Sequence, residues 1–172
     1  MLGRLIAKAE VYNGSTVGLY NATVMVVKAN AKGSMEALLN AKTIEATTVN
    51  VKNDYYAQSA AETGFAGGLV AGIGSASSNV AYATTSSTAK AAFGAAAGGS
   101  IIGNVNVENL GHVSAKALGR SAKVEISGLK VAVNVINADL NAAQDTSFTY
   151  GGQLDIGGDA VSYTHLTLPT NS

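Results

Sequence analysis

The chain repeats itself at an interval of about 55 residues, and this period restricts its fold more than any other feature. The segment TVNVKN at 48–53 reappears as NVNVEN at 104–109, with four of the six residues identical. The segment VMVVKANA at 24–31 resembles VNVINADL at 133–140, two intervals further along. The sequence therefore contains about three imperfect copies of one structural unit.

Glycine-led stretches provide a second view of the same units. Gly18, Gly68 and Gly128 each precede a leucine, and we interpret them as the starts of successive blocks. The period is longer than the roughly 20–45 residues of common solenoid repeats. We therefore expect each unit to contain two or three coils of a stacked structure.

Short apolar or alternating runs fill each unit and are bounded by Gly, Asn or Ser. The triplets VNV at 49–51 and 105–107 alternate, and VAVNV at 131–135 is a longer run. Alternation with a period of two is typical of strands, so the sequence predicts an all-β fold. Alanine-rich segments at 87–97 and 137–143 leave a mixed α/β domain as the alternative, because alanine is the best helix former.

Composition indicates how the core is built and which partners are excluded. Hydrophobic residues make up 47% of the chain but aromatic residues only 6%, so small and β-branched side chains must fill the interior. Eleven basic and eleven acidic residues leave no net charge, and we therefore expect no nucleic-acid partner. The absence of cysteine excludes disulfides and thiolate metal sites.

A glycine-led block, then TVNVKN or NVNVEN, then a run of small residues ending in glycine resembles the repetitive passengers of bacterial surface adhesins. The sequence resembles filamentous-haemagglutinin-like and leukotoxin-like autotransporter proteins, and the resemblance covers about residues 15–160. It implies a right-handed parallel β-helix (β-solenoid) outside the bacterial cell. It also implies a host-cell or matrix receptor and neighbouring repeats of a parent protein as partners.

Residues that could carry chemistry are few and scattered along the chain. His112 occupies the place of Tyr56 in the repeat alignment, where an ordinary surface histidine is expected. The segment GGQLDIGGDAV at 151–161 lacks the glycine and aspartate spacing of calcium-binding repeats, and Gly68, Gly72 and Gly74 do not form a dinucleotide fingerprint. We expect no enzyme activity, cofactor or metal, and keep a carbohydrate-active β-helix enzyme as the alternative.

Exposed aromatic side chains are the candidate contact residues, because they offer large and rigid binding area. The candidates are Tyr20, Tyr55, Tyr56 and Tyr82, together with Phe93. In the alternative interpretation these rings fill the wall of the fold.

The amino-terminal segment and the uncharged segment at 63–89 bear on export and membranes. Lys8 and Glu10 interrupt the early apolar residues, so we expect no signal peptide in this chain. The uncharged segment carries many Ser and Thr side chains, and we expect no membrane insertion. A membrane-active segment remains a further alternative.

The last twelve residues differ from the rest of the chain. The segment VSYTHLTLPT at 161–170 contains the only proline and resembles the translation of a transposase sequencing adapter. We therefore divide the chain into a β-solenoid fragment at 1–160 and a non-native tail at 161–172. On this interpretation the natural sequence ends near Ala160 and the chain is a slice of a longer protein.

Overall fold

A computed structural model describes residues 2–168 of the chain, without the side chains of residues 65, 66, 68 and 121–124. Nine strands and no helix are found in this part of the chain. The strands are β1 (Leu2–Asn13), β2 (Thr16–Val17), β3 (Tyr20–Ala41), β4 (Ile44–Ala46), β5 (Val49–Ala95), β6 (Gly98–Ile101), β7 (Val105–Tyr150), β8 (Gln153–Ile156) and β9 (Ala160–Thr167). The all-β prediction is confirmed.

All strand pairs are parallel, and paired residues lie 52 to 56 positions apart in the sequence. The larger sheet has the order β1-β5-β7-β9, with β2 and β3 also on β5, and a second sheet has the order β4-β6-β8. The first repeat thus comprises β1 to β4, the second β5 and β6, and the third β7 and β8. Strand β9 follows the third repeat in the sequence and pairs with residues 105–112 at the start of β7.

The register confirms the main sequence alignment and corrects the glycine alignment. Val49 pairs with Val105, as the TVNVKN and NVNVEN match predicts. Tyr20 pairs with Gly74, which places Gly18 beside residue 72 rather than Gly68. Each repeat forms one level of the stack, so the expectation of two or three coils per unit is wrong.

The alanine-rich segments at 87–97 and 137–143 form strand rather than helix over residues 87–95 and 137–143. Residues 87–95 pair with both β3 and β7, and residues 137–143 pair with β5. This tertiary pairing overrides the helix propensity of alanine. The mixed α/β alternative is therefore wrong. Residues 161–167 of the predicted tail lie in β9, which pairs with β7.

Each repeat doubles back on itself, so that two arms face each other across the core. In the second repeat the outgoing arm covers residues 49–63 and the returning arm residues 79–95. Val49 and Val51 pack against Phe93, and the Thr85 hydroxyl donates to Ser59 Oγ at 2.7 Å. Burying each valine or phenylalanine contributes about 1.5–3 kcal/mol.

Matching side chains in successive repeats lie directly above one another. Asn53 Nδ2 donates to Asn109 Oδ1 at 3.3 Å, and the rings of Phe93 and Phe148 stack with centroids 4.8 Å apart. Ion pairs join equivalent positions at Lys52–Glu108 (3.3 Å) and Lys90–Asp145 (3.8 Å). These columns of like or complementary side chains tie one repeat to the next.

Candidate contact surfaces

The structure separates the predicted contact aromatics into exposed and buried groups. Tyr20 is 80% exposed and Tyr56 41% exposed, whereas Tyr55 and Phe93 are completely buried. Tyr82 is half-buried, with the Lys28 ammonium 5.7 Å from its ring centroid. Tyr20 and Tyr56 are therefore available to a partner, and Tyr55 is a core residue.

Tyr55 is buried because inward and outward side chains alternate along the outgoing arm. Its ring lies beside Gly111, the paired residue in the next repeat, where a Cβ would be 2.6 Å from Tyr55 Cε1. Gln144 Nε2 donates to the Tyr55 hydroxyl at 3.2 Å. The ring thus fills space left by a glycine, and its polar end has a partner.

Tyr56 lies in a groove on the outer surface of the outgoing arms. Tyr56 pairs with His112, as the repeat alignment predicts. The two rings stack, with centroids 4.6 Å apart and planes at 12°. Arg4 pairs with Tyr56 on the other side. The groove, here called the Tyr56 groove, has a volume of about 310 Å³ and is lined mainly by Arg4, Ile6, Tyr56, Gln58, His112, Ser114, Thr167 and Leu168.

The Tyr56 groove is rich in hydrogen-bond donors. Arg4 supplies a guanidinium, and Gln58, His112 and Ser114 supply an amide, a ring nitrogen and a hydroxyl. None of the described residues that line it is acidic. The groove therefore suits a ligand with oxygen acceptors, bound through hydrogen bonds and ring contacts.

Ion pairs lie beyond the Tyr56 groove on the outer surface of the outgoing arms. Lys8 Nζ lies 2.7 Å from Glu10, and this hydrogen-bonded carboxylate raises the pKa of Lys8. Arg120 forms an ion pair with Glu62. The Tyr12 hydroxyl also hydrogen-bonds to Glu62, which raises the pKa of Tyr12.

Tyr20 lies on a second surface, which is almost entirely apolar. Four columns of outward side chains, here called the apolar face, cross the three repeats along the segment that leads into the returning arms. They are Tyr20–Gly74–Leu129, Ala22–Ala76–Val131, Val24–Ser78–Val133 and Val26–Val80–Val135. A groove of about 450 Å³ lies at its Tyr20 end. The exposed tyrosine was identified from the sequence, but the face around it was not.

Acidic and histidine side chains do not converge in the described residues. No group of three His, Cys, Asp or Glu residues in the range 2–168 is placed to hold a metal ion. Asp145 pairs with Lys90, and Asp155 accepts hydrogen bonds from Gln153.

No helix in residues 2–168 has the length and apolar character needed to cross a membrane. No protein-family model, curated protein or solved structure matches the chain. We therefore infer its function from the geometry of its surfaces and from its repeats.

Proposed function

We propose that this chain is a non-catalytic structural and adhesive module of a large bacterial cell-surface or secreted adhesin. It contributes part of a right-handed parallel β-helix to a passenger that resembles filamentous-haemagglutinin-like and leukotoxin-like autotransporter proteins. It acts outside the cell. Its partners are a host-cell or matrix receptor and the neighbouring repeats of its parent protein.

The observation that carries the proposal is the in-register parallel stacking of three repeats. Val49 lies beside Val105 and Ala95 beside Tyr150, so the second and third repeats stay aligned along both arms. A stack in which each unit contacts its neighbours extends by addition of further units. That property suits a shaft that holds binding groups away from a cell.

The Tyr56 groove supports the adhesive part of the proposal. The sheet holds Arg4, Tyr56 and His112 in one column, and the two rings are already stacked before any partner arrives. Binding to preorganised side chains costs little ordering entropy. A receptor that presents oxygen acceptors, such as a glycan, fits these donors.

Binding of the full chain to immobilised glycans, matrix proteins and host cells tests the proposal. We expect Arg4→Gln to weaken binding about tenfold, since a charge-assisted hydrogen bond contributes about 1.5–3 kcal/mol. Lys32→Gln is the matched control, because it removes one exposed positive charge from the returning arm of the same first repeat. Circular dichroism verifies that both variants are folded.

Two outcomes would overturn the proposal. One is the absence of binding to every surface by the folded chain. The other is release of shortened saccharides from a polysaccharide, which would favour the carbohydrate-active enzyme. Equal loss of binding in both variants would show that the Tyr56 groove is not the contact site.

A further inference from the structure

One asparagine of the chain is followed by glycine, and this pair lies at the corner between β1 and β2. Asn13 is the last residue of β1, Gly14 and Ser15 form the connection, and β2 begins at Thr16. Gly14 is exposed and Asn13 is half-buried. The corner therefore brings together an asparagine side chain, a backbone amide that no side chain covers, and solvent.

The backbone nitrogen of Gly14 lies beside the side-chain amide of Asn13. It donates a hydrogen bond to Asn13 Oδ1 at 2.9 Å. Because a C=O bond is about 1.23 Å long, this contact places the Gly14 nitrogen within about 4 Å of Asn13 Cγ. A nucleophilic atom held this close to its target reacts with it far faster than a free one does.

The surroundings of Gly14 leave room for its nitrogen to move toward Asn13 Cγ. Apart from Gly14 and its two chain neighbours, no atom of the described residues lies within 4 Å of the position of a Gly14 Cβ. Glycine also has no side chain that could restrict its backbone or shield its nitrogen. The approach is therefore open.

Asn104 lies at another corner, between β6 and β7, but its amide is held. Asn104 Oδ1 accepts a hydrogen bond from the backbone nitrogen of Asp159 at 3.0 Å. The following residue is Val105, whose backbone nitrogen donates to the carbonyl oxygen of Asp159 at 2.9 Å. Both the amide and the nitrogen that could attack it are thus bound to another segment, and the branched side chain of Val105 crowds that nitrogen.

We propose that Asn13 is a site of spontaneous deamidation. The Gly14 nitrogen gives its proton to a hydroxide ion and attacks Asn13 Cγ. A bond forms between these two atoms, the bond from Cγ to the side-chain nitrogen breaks, and that nitrogen takes a proton from water and leaves as ammonia. Water then adds to either carbonyl of the resulting succinimide ring and opens it, which gives aspartate or isoaspartate at position 13.

Both products change the corner. Each adds a negative charge, and isoaspartate also routes the main chain through Cβ, which adds one backbone atom to the connection. Asn13 pairs with Phe65, and Ser15 Oγ accepts a hydrogen bond from the Leu69 backbone nitrogen at 3.1 Å. These contacts join the corner to the second repeat, so a longer connection alters its geometry. The reaction needs no partner and is independent of adhesion.

Incubation of the purified full chain in mildly alkaline buffer, followed by tryptic digestion and mass spectrometry, tests the proposal. Trypsin releases residues 9–28 as one peptide, which contains both Asn13 and Asn21. Asn21 is the internal control, because it lies within β3 and its amide donates to the Ala71 carbonyl oxygen at 2.8 Å. We expect a mixture of aspartate and isoaspartate at position 13, and at least about tenfold less conversion at Asn21.

Gly14→Ala is the matched variant, because its added methyl group hinders the approach of the nitrogen without meeting another part of the described chain. We expect it to convert Asn13 at least about tenfold more slowly. Circular dichroism verifies that the variant is folded, and a sample digested without incubation gives the background.

The proposal is overturned if Asn13 keeps its amide in the folded chain, or if Asn21 is converted equally. It is also overturned if Gly14→Ala reacts as fast as the unsubstituted chain. Aspartate without isoaspartate would contradict it as well, because direct hydrolysis of the amide does not pass through a succinimide. None of these results bears on receptor binding through the Tyr56 groove, which is measured on the chain before incubation.

Discussion

Buried asparagines connect the repeats at the level of single residues. Asn53 and Asn109 are completely buried, and Asn109 Nδ2 donates to the carbonyl oxygens of Ala89 at 2.8 Å and Asp145 at 3.0 Å. The amide of Asn109 therefore joins its own arm to the returning arms of two repeats. Removing such a group leaves buried carbonyl groups without donors, which costs more than the loss of an exposed hydrogen bond.

Asn109→Ala should lower the free energy of unfolding by about 2–3 kcal/mol, since several buried polar groups lose their partner. Asn106→Ala is the control, because Asn106 donates to Asn50 in an exposed pair of the same strand. We expect the control to cost less than about 1 kcal/mol. Urea unfolding measures both, and equal costs would contradict a structural role for the buried asparagines.

Tyr12 provides a pH-dependent test of the outgoing surface. Its hydroxyl hydrogen-bonds to the carboxylate of Glu62, which raises the pKa of Tyr12 above its ordinary value. A raised folded-state pKa favours the protonated phenol, so its stabilising effect is present below the unfolded pKa of about 10 and is lost as the pH rises through the folded pKa.

Glu62→Gln should therefore lower the pKa of Tyr12, and Glu10→Gln should lower it less, because Glu10 acts only through its charge. An NMR titration of ring-labelled tyrosine measures the change. An ordinary tyrosine pKa for Tyr12 in the unsubstituted protein would contradict the hydrogen bond.

The sequence identifies the candidate tyrosines but does not decide which of them is exposed. Tyr55 and Tyr56 are adjacent, and the sequence identifies both as candidate contacts. Only the phase of the strand decides that Tyr55 enters the core and Tyr56 the surface. The phase could have been predicted from Val49 and Val51, because inward side chains share their odd numbering up to Tyr55.

The long strands bend at several points without ending there. The sequence predicts strands of three to five residues, whereas β5 extends over 47 residues and β7 over 46. Because the same bends recur in adjacent repeats, parallel pairing continues around them. Gly and Asn residues in the sequence therefore indicate where the chain bends. They do not predict where a strand ends, because strand ends depend on pairing between repeats.

The corner between β5 and β6 depends on Gly98. Its φ of +85° lies in the left-handed region, and a Cβ there would collide with the carbonyl oxygen of Gln153 in the next repeat. Gly98→Ala should therefore lower the free energy of unfolding by at least about 2 kcal/mol.

Gly14→Ala is the control for this substitution, since no atom of the described residues, apart from Gly14 and its two chain neighbours, lies within 4 Å of the position of its Cβ. We expect it to change the free energy of unfolding by less than about 0.5 kcal/mol. Urea unfolding of both variants measures the difference, because a shift in the denaturation midpoint at an unchanged m-value reports a change in the free energy of unfolding. A neutral Gly98→Ala would contradict the corner geometry.

The repeat period is the feature of the whole molecule that the sequence predicts best. The two VNV triplets lie 56 residues apart in the sequence, and the sheet pairs them residue for residue. The glycine alignment fails because glycines mark bends whose positions shift between repeats. The apolar face is invisible in the sequence, since its columns join residues about 55 positions apart that become neighbours only when the repeats stack.

Disulfide formation between paired repeats tests whether each residue lies beside its equivalent one repeat later. Asn50 and Asn106 are paired and their side chains hydrogen-bond at 2.8 Å. Cα atoms of paired parallel strands are about 4.8 Å apart, which a disulfide can bridge, so the test variant combines Asn50→Cys with Asn106→Cys. Asn50→Cys with Ser114→Cys is the control, because Ser114 pairs with Gln58, further along the same arm.

We expect mild oxidation of the folded test variant to close a disulfide between positions 50 and 106 within a single chain, whereas the control pair stays reduced. Mass spectrometry of proteolytic fragments identifies the bridge. A folded protein that forms no such bridge, or that bridges the control pair equally well, would contradict the stacking of the repeats.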